Sequence, residues 1–288
     1  MHEAPTGMFH DKRAALATMH GKERVIRPLL KRFLGLQVAL PGGLDTDRFG
    51  TFSREIERVG SQLDAARAKI DAVMELDPDA DFGLASEGSF GPHPEIPFLP
   101  LGQELVLLRD RRSGLEISGV HRHSARSARY RRIASQAAAL AFAEQVGFPK
   151  QGLIVMGVYE EEPAPELFLD KSIETMAAYQ AAVAEALDRF GAAQVETDLR
   201  AHRNPVRMRA IARATVRLVR NCLSRCPECG QPGYQVTATL PGLRCADCGA
   251  PTRERKALVW SCSGCGHCVE QLSGKARADP EGCDICNP

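Results

Sequence analysis

The chain has 288 residues, of which 44% are hydrophobic and 25% are charged, and its net charge is +1. This length suits one sizeable domain with a small appendage, and the composition is that of an ordinary globular protein. The balanced charge neither requires nor excludes nucleic acid, and the longest apolar runs are too short to span a membrane.

The first 25 residues carry His, Asp, Lys and Arg side chains and lack the apolar stretch of a secretory signal. We therefore expect a cytoplasmic protein without a membrane partner. In that compartment thiols stay reduced, so that paired cysteines indicate metal ligands.

The first third of the chain alternates between strand and helix patterns. We predict strands over residues 13–18, 36–40 and 82–86, and helices over residues 22–34 and 53–59. Ser61 and Asp64 have the spacing of a capping box, which predicts that another helix begins there. Its apolar face carries Leu63, Ala66, Ile70, Val73 and Met74.

The alternation continues to residue 223. Residues 105–110 and 115–121 predict a hairpin, and residues 159–166 (YEEEPAPE) predict an exposed loop or linker. Further helices are predicted over residues 127–146, 172–190 and from Asn204-Pro205 to 223, with strands over 153–158 and 194–197. The pattern predicts a mixed-sheet α/β domain over residues 1–221.

All ten cysteines follow residue 221, and eight of them form four Cys-x-x-Cys pairs. Fifteen residues separate the first two pairs and seventeen the last two, which is typical of four-thiolate zinc ribbons. A residue suited to a left-handed turn follows each pair: Gly230, Gly249, Gly266 and Asn287. We predict two tandem zinc ribbons, placed end to end over residues 222–288, with two structural Zn²⁺ ions. The expected ligands are Cys226, Cys229, Cys245, Cys248, Cys262, Cys265, Cys283 and Cys286.

Two alternatives remain for this region. The cysteines could instead form a disulfide framework, although their confinement to one end and their paired spacing favour metal. Cys268 or His267 could replace a ligand in the second site, whereas Cys222 lies on an apolar helix face and suits a small core residue.

Two stretches that follow predicted strands are candidates for chemistry. Residues 86–93 (SEGSFGPH) come after a central strand, and ligands of open α/β sheets bind at such strand ends. Here Glu87 can hold a metal or act as a base, and the other candidates are Ser86, Gly88, Ser89 and His93. Thr18, His20 and Lys22 lie between a strand and a helix N-terminus, which suits a phosphate. The alternatives are a plain glycine turn and a solvent-exposed lysine.

Two further stretches combine charge with turn residues. Asp45 and Asp47 lie in a glycine-rich stretch and suit Mg²⁺ or Mn²⁺, although aspartate is also common in turns. Residues 196–207 bring Arg200 and His202 close to the helix cap at Asn204, as part of a site or as a solvated ion-pair loop.

The helix after Pro205 places four arginines on one face: Arg209, Arg213, Arg217 and Arg220. This face is either the solvated side of an amphipathic helix or a contact surface for a phosphate backbone.

The strings ATMHGKERVI, FGLASEGSFGPHP and TDLRAHRNPVRM resemble a bacterial family carried as a domain of unknown function, and the likeness continues into the cysteine-rich tail. That resemblance implies no activity.

A more distant resemblance is to the inosine/xanthosine triphosphate pyrophosphatases. The corresponding motifs are Thr18 to Lys22, Thr51-Phe52 with Glu55, Ala66-Arg67 with Lys69, and Glu87-Gly88. In this chain His20 stands where the family has Asn, and Glu87 alone replaces paired acids.

We predict a metal-assisted hydrolase of a nucleotide or another phosphorylated small molecule. Lys22, Arg67 and Lys69 would bind phosphate, while Glu87 with Asp45 or Asp47 would hold the metal and His20 would assist catalysis. Two other functions remain open. The ribbons and the arginine helix could bind nucleic acid, or the ribbons could only dock a partner protein.

Overall fold

The computed structural model describes residues 7–44, 60–92, 100–125 and 128–288. The chain forms two compact units, of which the first spans Met1–Arg112 and Ser118–Val219 and the second Ser113–Ile117 and Arg220–Pro288. None of the helices in the described ranges combines the length and apolar character that a membrane crossing requires.

A five-stranded mixed sheet organises one half of the first unit. Its order is β2-β1-β3-β4-β5, in which β1 runs parallel to β2 and β3, and β3 runs antiparallel to β4. The strands are β1 (Arg13–Ala17), β2 (Gln37–Ala39), β3 (Phe82–Pro92), β4 (Pro100–Asp110) and β5 (Glu116–Ser124). Helix α1 (Glu23–Leu34) connects β1 to β2, and helix α2 (Gln62–Leu76) precedes β3.

The capping box predicted for α2 is confirmed. The Ser61 side chain accepts a hydrogen bond from the Asp64 backbone N–H, and the Asp64 side chain accepts one from the Ser61 backbone. The apolar face packs against the sheet through Ala66, Ile70 and Val73, which are fully buried. Lys69 is buried on the same helix.

Strand β3 is longer than the sequence predicts. The expected loop after Ser86 is wrong over residues 87–92, because these residues pair with β4 in continuous register from Glu87↔Leu105 to Pro92↔Pro100. The long β3–β4 pair carries Glu87 on one strand and Glu104 on the other. Their side chains lie on opposite faces of the sheet, because Glu87 pairs with Leu105 and Glu104 pairs with Gly88.

A second sheet of four strands has the order β6-β9-β7-β8. Its strands are β6 (Tyr130–Ile133), β7 (Leu153–Tyr159), β8 (Glu162–Asp170) and β9 (Ala193–Thr197), and helices α3 (Gln136–Val146) and α4 (Met176–Phe190) pack on it. The predicted helix over 127–146 is wrong before residue 136, since residues 130–133 form β6.

The predicted loop over residues 159–166 is also wrong. Glu160 and Glu161 adopt left-handed backbone angles and make a tight turn, after which β8 pairs with β7. Two prolines fit in this strand because β8 lies at the edge of the sheet, where a missing N–H leaves no ladder bond unmade.

Helix α5 (Pro205–Leu223) begins where the sequence predicts, since the Asn204 side chain caps it by accepting a hydrogen bond from the Arg207 backbone N–H at 3.0 Å. The second unit contains a three-stranded antiparallel sheet of β10 (Gln235–Pro241), β11 (Arg255–Ser261) and β12 (Cys268–Leu272). The predicted fold class, a mixed-sheet α/β domain followed by a small region with two cysteine sites, is confirmed.

We expect Gly119→Ala to lower the free energy of unfolding by about 1–3 kcal/mol, because overpacking forces backbone shifts. A Cβ added at Gly119 of β5 would overlap backbone atoms of Ala214 and Leu218 in α5. Urea unfolding measures the change. Gly91→Ala in β3 is the control, since a Cβ there meets no described atom within 4 Å. Equal stability of the two variants would contradict the close approach of β5 to α5.

Candidate active site and metal centres

Lys22 lies just beyond the carboxyl end of β1, at the start of α1. Its Nζ donates a hydrogen bond to the Ser86 carbonyl oxygen at 2.5 Å. Burial, followed by the nearby Arg207 guanidinium, lowers the pKa of Lys22 from 10.5 to about 7. The side chain is thus held between the neutral and charged forms near physiological pH.

A buried ion pair lies next to Lys22. Lys69 of α2 pairs with Glu87 of β3, and both side chains are at most 9% exposed. The Gln62 amide of α2 donates to the Glu87 carbonyl oxygen at 2.7 Å. Helix α2 therefore holds both the backbone and the carboxylate of Glu87 in place.

A second buried ion pair joins α5 to β4. Arg207 Nε donates to Glu104 Oε1 at 2.6 Å, and Arg207 Nη1 donates to the Leu199 carbonyl oxygen at 2.5 Å. The guanidinium also lies over the Phe90 ring, 5.7 Å from its centroid. A Cβ at Gly88 would overlap this guanidinium, so that the absence of a side chain at this candidate position leaves room for Arg207.

Lys22 and the two ion pairs together form a cluster of five charged side chains, and the positive ones outnumber the negative ones. Three cations (Lys22, Lys69 and Arg207) accompany two carboxylates (Glu87 and Glu104), and all five are buried. Electrostatic interactions connect Lys22 with the other four. The hydroxyls of Thr18 and Ser86 are buried beside it without a hydrogen-bond partner among the described residues.

The segment between β9 and α5 meets the loop after β1. The His202 ring stacks on His20 with centroids 5.3 Å apart, and His202 also lies beside Gly21. Arg200 pairs with the fully buried Asp198, with Nη2 to Oδ2 at 2.7 Å. Through His20, which precedes Lys22 by two residues, His202 is brought close to the start of α1.

The structure does not bring every predicted site residue together. Arg67 is exposed on α2, 3.9 Å from Asp64 within the same helix, and Ser89 is half-buried on β3. Asp45, Asp47 and His93 lie outside the described residues. In the parts of the α/β unit that the structure describes, no three acidic, histidine or cysteine side chains gather as a metal site.

Sequence reasoning missed Glu104. It is fully buried in β4, within the stretch LGQELVLL. A single carboxylate inside an otherwise apolar strand is a signal for a buried ion pair, because an unpaired buried charge is costly.

The eight paired cysteines form two clusters of four. Cys226 and Cys229 gather with Cys262 and Cys265, while Cys245 and Cys248 gather with Cys283 and Cys286. Contacting sulfurs lie 3.6–3.8 Å apart. A tetrahedral metal with sulfur bonds of about 2.3 Å requires edges of about 3.8 Å, so each cluster fits one ion.

The predicted end-to-end pairing is wrong, because the first pair joins the third and the second joins the fourth. One strand separates successive pairs, and β10, β11 and β12 run antiparallel. Each strand carries the chain to the opposite end of the sheet. The odd pairs therefore meet at one end and the even pairs at the other.

The turn after each pair contains the same type of hydrogen bond. The backbone N–H of residue 230, 249, 266 or 287 donates to the carbonyl oxygen of the first cysteine of its pair. The predicted left-handed backbone is confirmed for Gly230, Gly249 and Gly266, whereas Asn287 does not adopt it. Backbone N–H donors lower the pKa of Cys262 and Cys283 to about 7, which favours the thiolate form that binds metal.

The remaining candidates stay outside the clusters. Neither Cys268 nor His267 belongs to the two groups of four. His267 packs against Tyr234, with ring centroids 5.9 Å apart. Cys222 is buried, and this burial raises its thiol pKa.

A mixed-sheet α/β body followed by a small unit with two four-thiolate clusters defines the class of this protein. It is an α/β protein with a C-terminal metal-binding module. The family model described as Domain of unknown function (DUF6671) matches residues 69–288, and the chain belongs to this family. No curated protein matches the chain.

We expect the interleaved pairing to be visible in metal stoichiometry. Cys226→Ser/Cys262→Ser removes ligands from one cluster and should leave about one ion per chain. Cys226→Ser/Cys245→Ser damages both clusters and should leave none, because closed sites need all four ligands. Elemental analysis of the purified variants measures this. End-to-end pairing requires the opposite result.

We expect the free energy of unfolding of the wild type to rise between about pH 7 and 9 relative to that of the variant Lys22→Met. Lys22 binds a proton in the unfolded chain up to pH 10.5 but releases it near pH 7 when folded. Between these values the unfolded state holds more protons than the folded state. The free energy of unfolding therefore increases by at most about 1.4 kcal/mol per pH unit.

Urea unfolding at pH 7, 8 and 9 measures this difference. Lys31→Met, at an exposed position of α1, is the control and should follow the wild type. Parallel pH profiles for wild type and Lys22→Met would contradict the lowered pKa.

Proposed function

We propose that the first unit binds and hydrolyses a nucleotide or another phosphorylated small molecule. The observation that carries this proposal is the surplus of buried positive charge formed by Lys22, Lys69 and Arg207 against Glu87 and Glu104. This charge lies toward the carboxyl ends of the parallel strands β1 and β3. Ligands of open α/β sheets usually bind at such strand ends.

A bound phosphate would neutralise this surplus. Burial penalises the charged form of Lys22, and its lowered pKa shows that the protein's own carboxylates do not compensate. A phosphate oxygen near Nζ would favour the protonated form. The Thr18 and Ser86 hydroxyls can donate hydrogen bonds to the same ligand.

The residues divide into binding and positioning roles. Lys22 would bind the phosphate, while Arg207 is occupied by Glu104, Leu199 and Phe90 and would hold the β3 backbone in position. Lys69 would orient Glu87. His20 and His202 lie close to the start of α1, where they would contact the rest of the substrate.

In the proposed reaction Glu87 acts as the general base. It accepts a proton from a water molecule whose oxygen forms a bond to phosphorus. The bond from phosphorus to the leaving oxygen breaks, and its electron pair departs with the leaving group. Lys22 stabilises the negative charge of the phosphate oxygens during this step.

Mg²⁺ or Mn²⁺ would arrive at this site with the substrate and would be held chiefly by the substrate phosphates, since the described α/β residues gather no set of three metal ligands. When bound, the ion would withdraw charge from the phosphate and favour ionisation of water.

We further propose that Zn²⁺ fills both cysteine clusters, since tetrahedral sets of four thiolates suit this ion. With four protein ligands it has no open position, and its role is structural. The resemblance of residues 18–22 and 87–88 to the inosine/xanthosine triphosphate pyrophosphatases makes nucleoside triphosphates the first substrates to test.

We expect purified protein with Mg²⁺ or Mn²⁺ to release phosphate or pyrophosphate from at least one nucleotide or other phosphorylated metabolite. Glu87→Gln should lower kcat by about 100-fold or more, because a general base contributes roughly that much. Phosphorus NMR identifies the products.

The control is Glu185→Gln on the exposed face of α4, which should keep the wild-type rate. Circular dichroism confirms that both variants fold. The proposal fails if no compound is turned over, or if Glu87→Gln turns over as fast as the control.

A further inference from the structure

Helix α5 has two chemically different sides. Ala210, Ile211, Ala214 and Leu218 are at most 3% exposed. Every exposed residue between positions 207 and 219 is an arginine, namely Arg209, Arg213 and Arg217. Four-residue spacing keeps them on one side, about 6 Å apart along the helix axis.

These three arginines make no ion pair with any described residue, whereas many other arginines of the chain do. Within the described parts of the chain, no carboxylate therefore neutralises their charge directly. An array of unpaired guanidinium groups on one rigid helix is a site for a polyanion, because each group can hold a separate phosphate through paired hydrogen bonds.

Strand β5 shows the effect of this charge. Gly119 brings β5 into backbone contact with α5, and His121 follows two residues later. Burial, followed by Arg217 and Arg213, lowers the pKa of His121. Both guanidinium groups therefore lie close enough to disfavour the charged imidazole.

We propose that the face of α5 formed by Arg209, Arg213 and Arg217 binds the phosphodiester backbone of nucleic acid. This inference goes beyond the proposed hydrolase and does not depend on it. The three residues are separate from the buried cluster, since Arg207 of the same helix points inward to Glu104.

The composition of this face favours nucleic acid over other acidic partners. A protein interface needs an apolar centre, and a membrane surface needs apolar side chains that insert. The exposed positions of this face between residues 207 and 219 offer arginine alone, while the apolar side of α5 is buried in the protein. Backbone recognition needs only positive charge and is independent of base sequence.

The test is fluorescence anisotropy of the full-length protein with a labelled DNA duplex of about 20 base pairs. The salt concentration is varied from about 50 to about 200 mM, because the affinity of phosphate contacts falls steeply over this range. We expect binding whose log–log salt slope falls by about 1.8 in Arg213→Gln/Arg217→Gln, since each lost phosphate contact removes about 0.9.

Arg27→Gln/Lys31→Gln on α1 is the matched control. It removes two exposed cations with the same four-residue spacing and should leave the slope unchanged. Equal slopes in wild type and the α5 variant would overturn the proposal, as would an equal loss in the control. Equally tight binding to poly-glutamate or to anionic vesicles would overturn it too, by showing a general polyanion surface.

Discussion

The ion pair between Arg207 and Glu104 fixes the geometry of the first unit. The guanidinium is 1% exposed and the carboxylate 0% exposed, so that loss of either partner would leave a buried charge, at a cost of about 3–5 kcal/mol. Through this contact the start of α5 is held against β4. The preceding segment, which carries Asp198 and His202, is thereby held next to the loop after β1. Gly88 is required because no side chain fits between β3 and the guanidinium.

One helix serves two electrostatic environments. Arg207 points inward, where it satisfies Glu104 and contributes to the low pKa of Lys22. The next arginines of the helix, Arg209, Arg213 and Arg217, are exposed and have no ion-pair partner among the described residues. A small phosphorylated ligand suits the buried cluster, since a limited surplus of charge is enclosed there. An extended polyanion suits the exposed face, where charges repeat along an axis. The two proposals are therefore independent in their chemistry.

The second unit is organised around its two cysteine clusters and not around a buried ion pair. Its three strands are short, and much of their surface is exposed. Such a unit has little apolar core, so that ligation of each ion contributes a large part of its folding free energy. Because the clusters lie at opposite ends of the sheet, an ion bound in each would join strand ends that are distant in sequence. Four thiolates per cluster leave no coordination position for a substrate.

The sequence by itself determined what depends on local chemistry. The capping box at Ser61, the helix start at Asn204-Pro205 and the eight metal ligands all follow from residues a few positions apart. The elements that it missed depend on distant partners. Residues 87–92 and 162–170 contain glycine, proline and charge, and they became strands only because β4 and β7 supply hydrogen bonds.

The same division holds for the sites. Lys22 and Glu87 stood out because they follow predicted strands. Glu104 left only the signal of a lone carboxylate in an apolar stretch, and its arginine partner lies 103 residues away in the chain. Spacing along the chain shows which residues can bind a metal. The tertiary structure alone decided which of them share an ion, because antiparallel strands determine which chain ends meet.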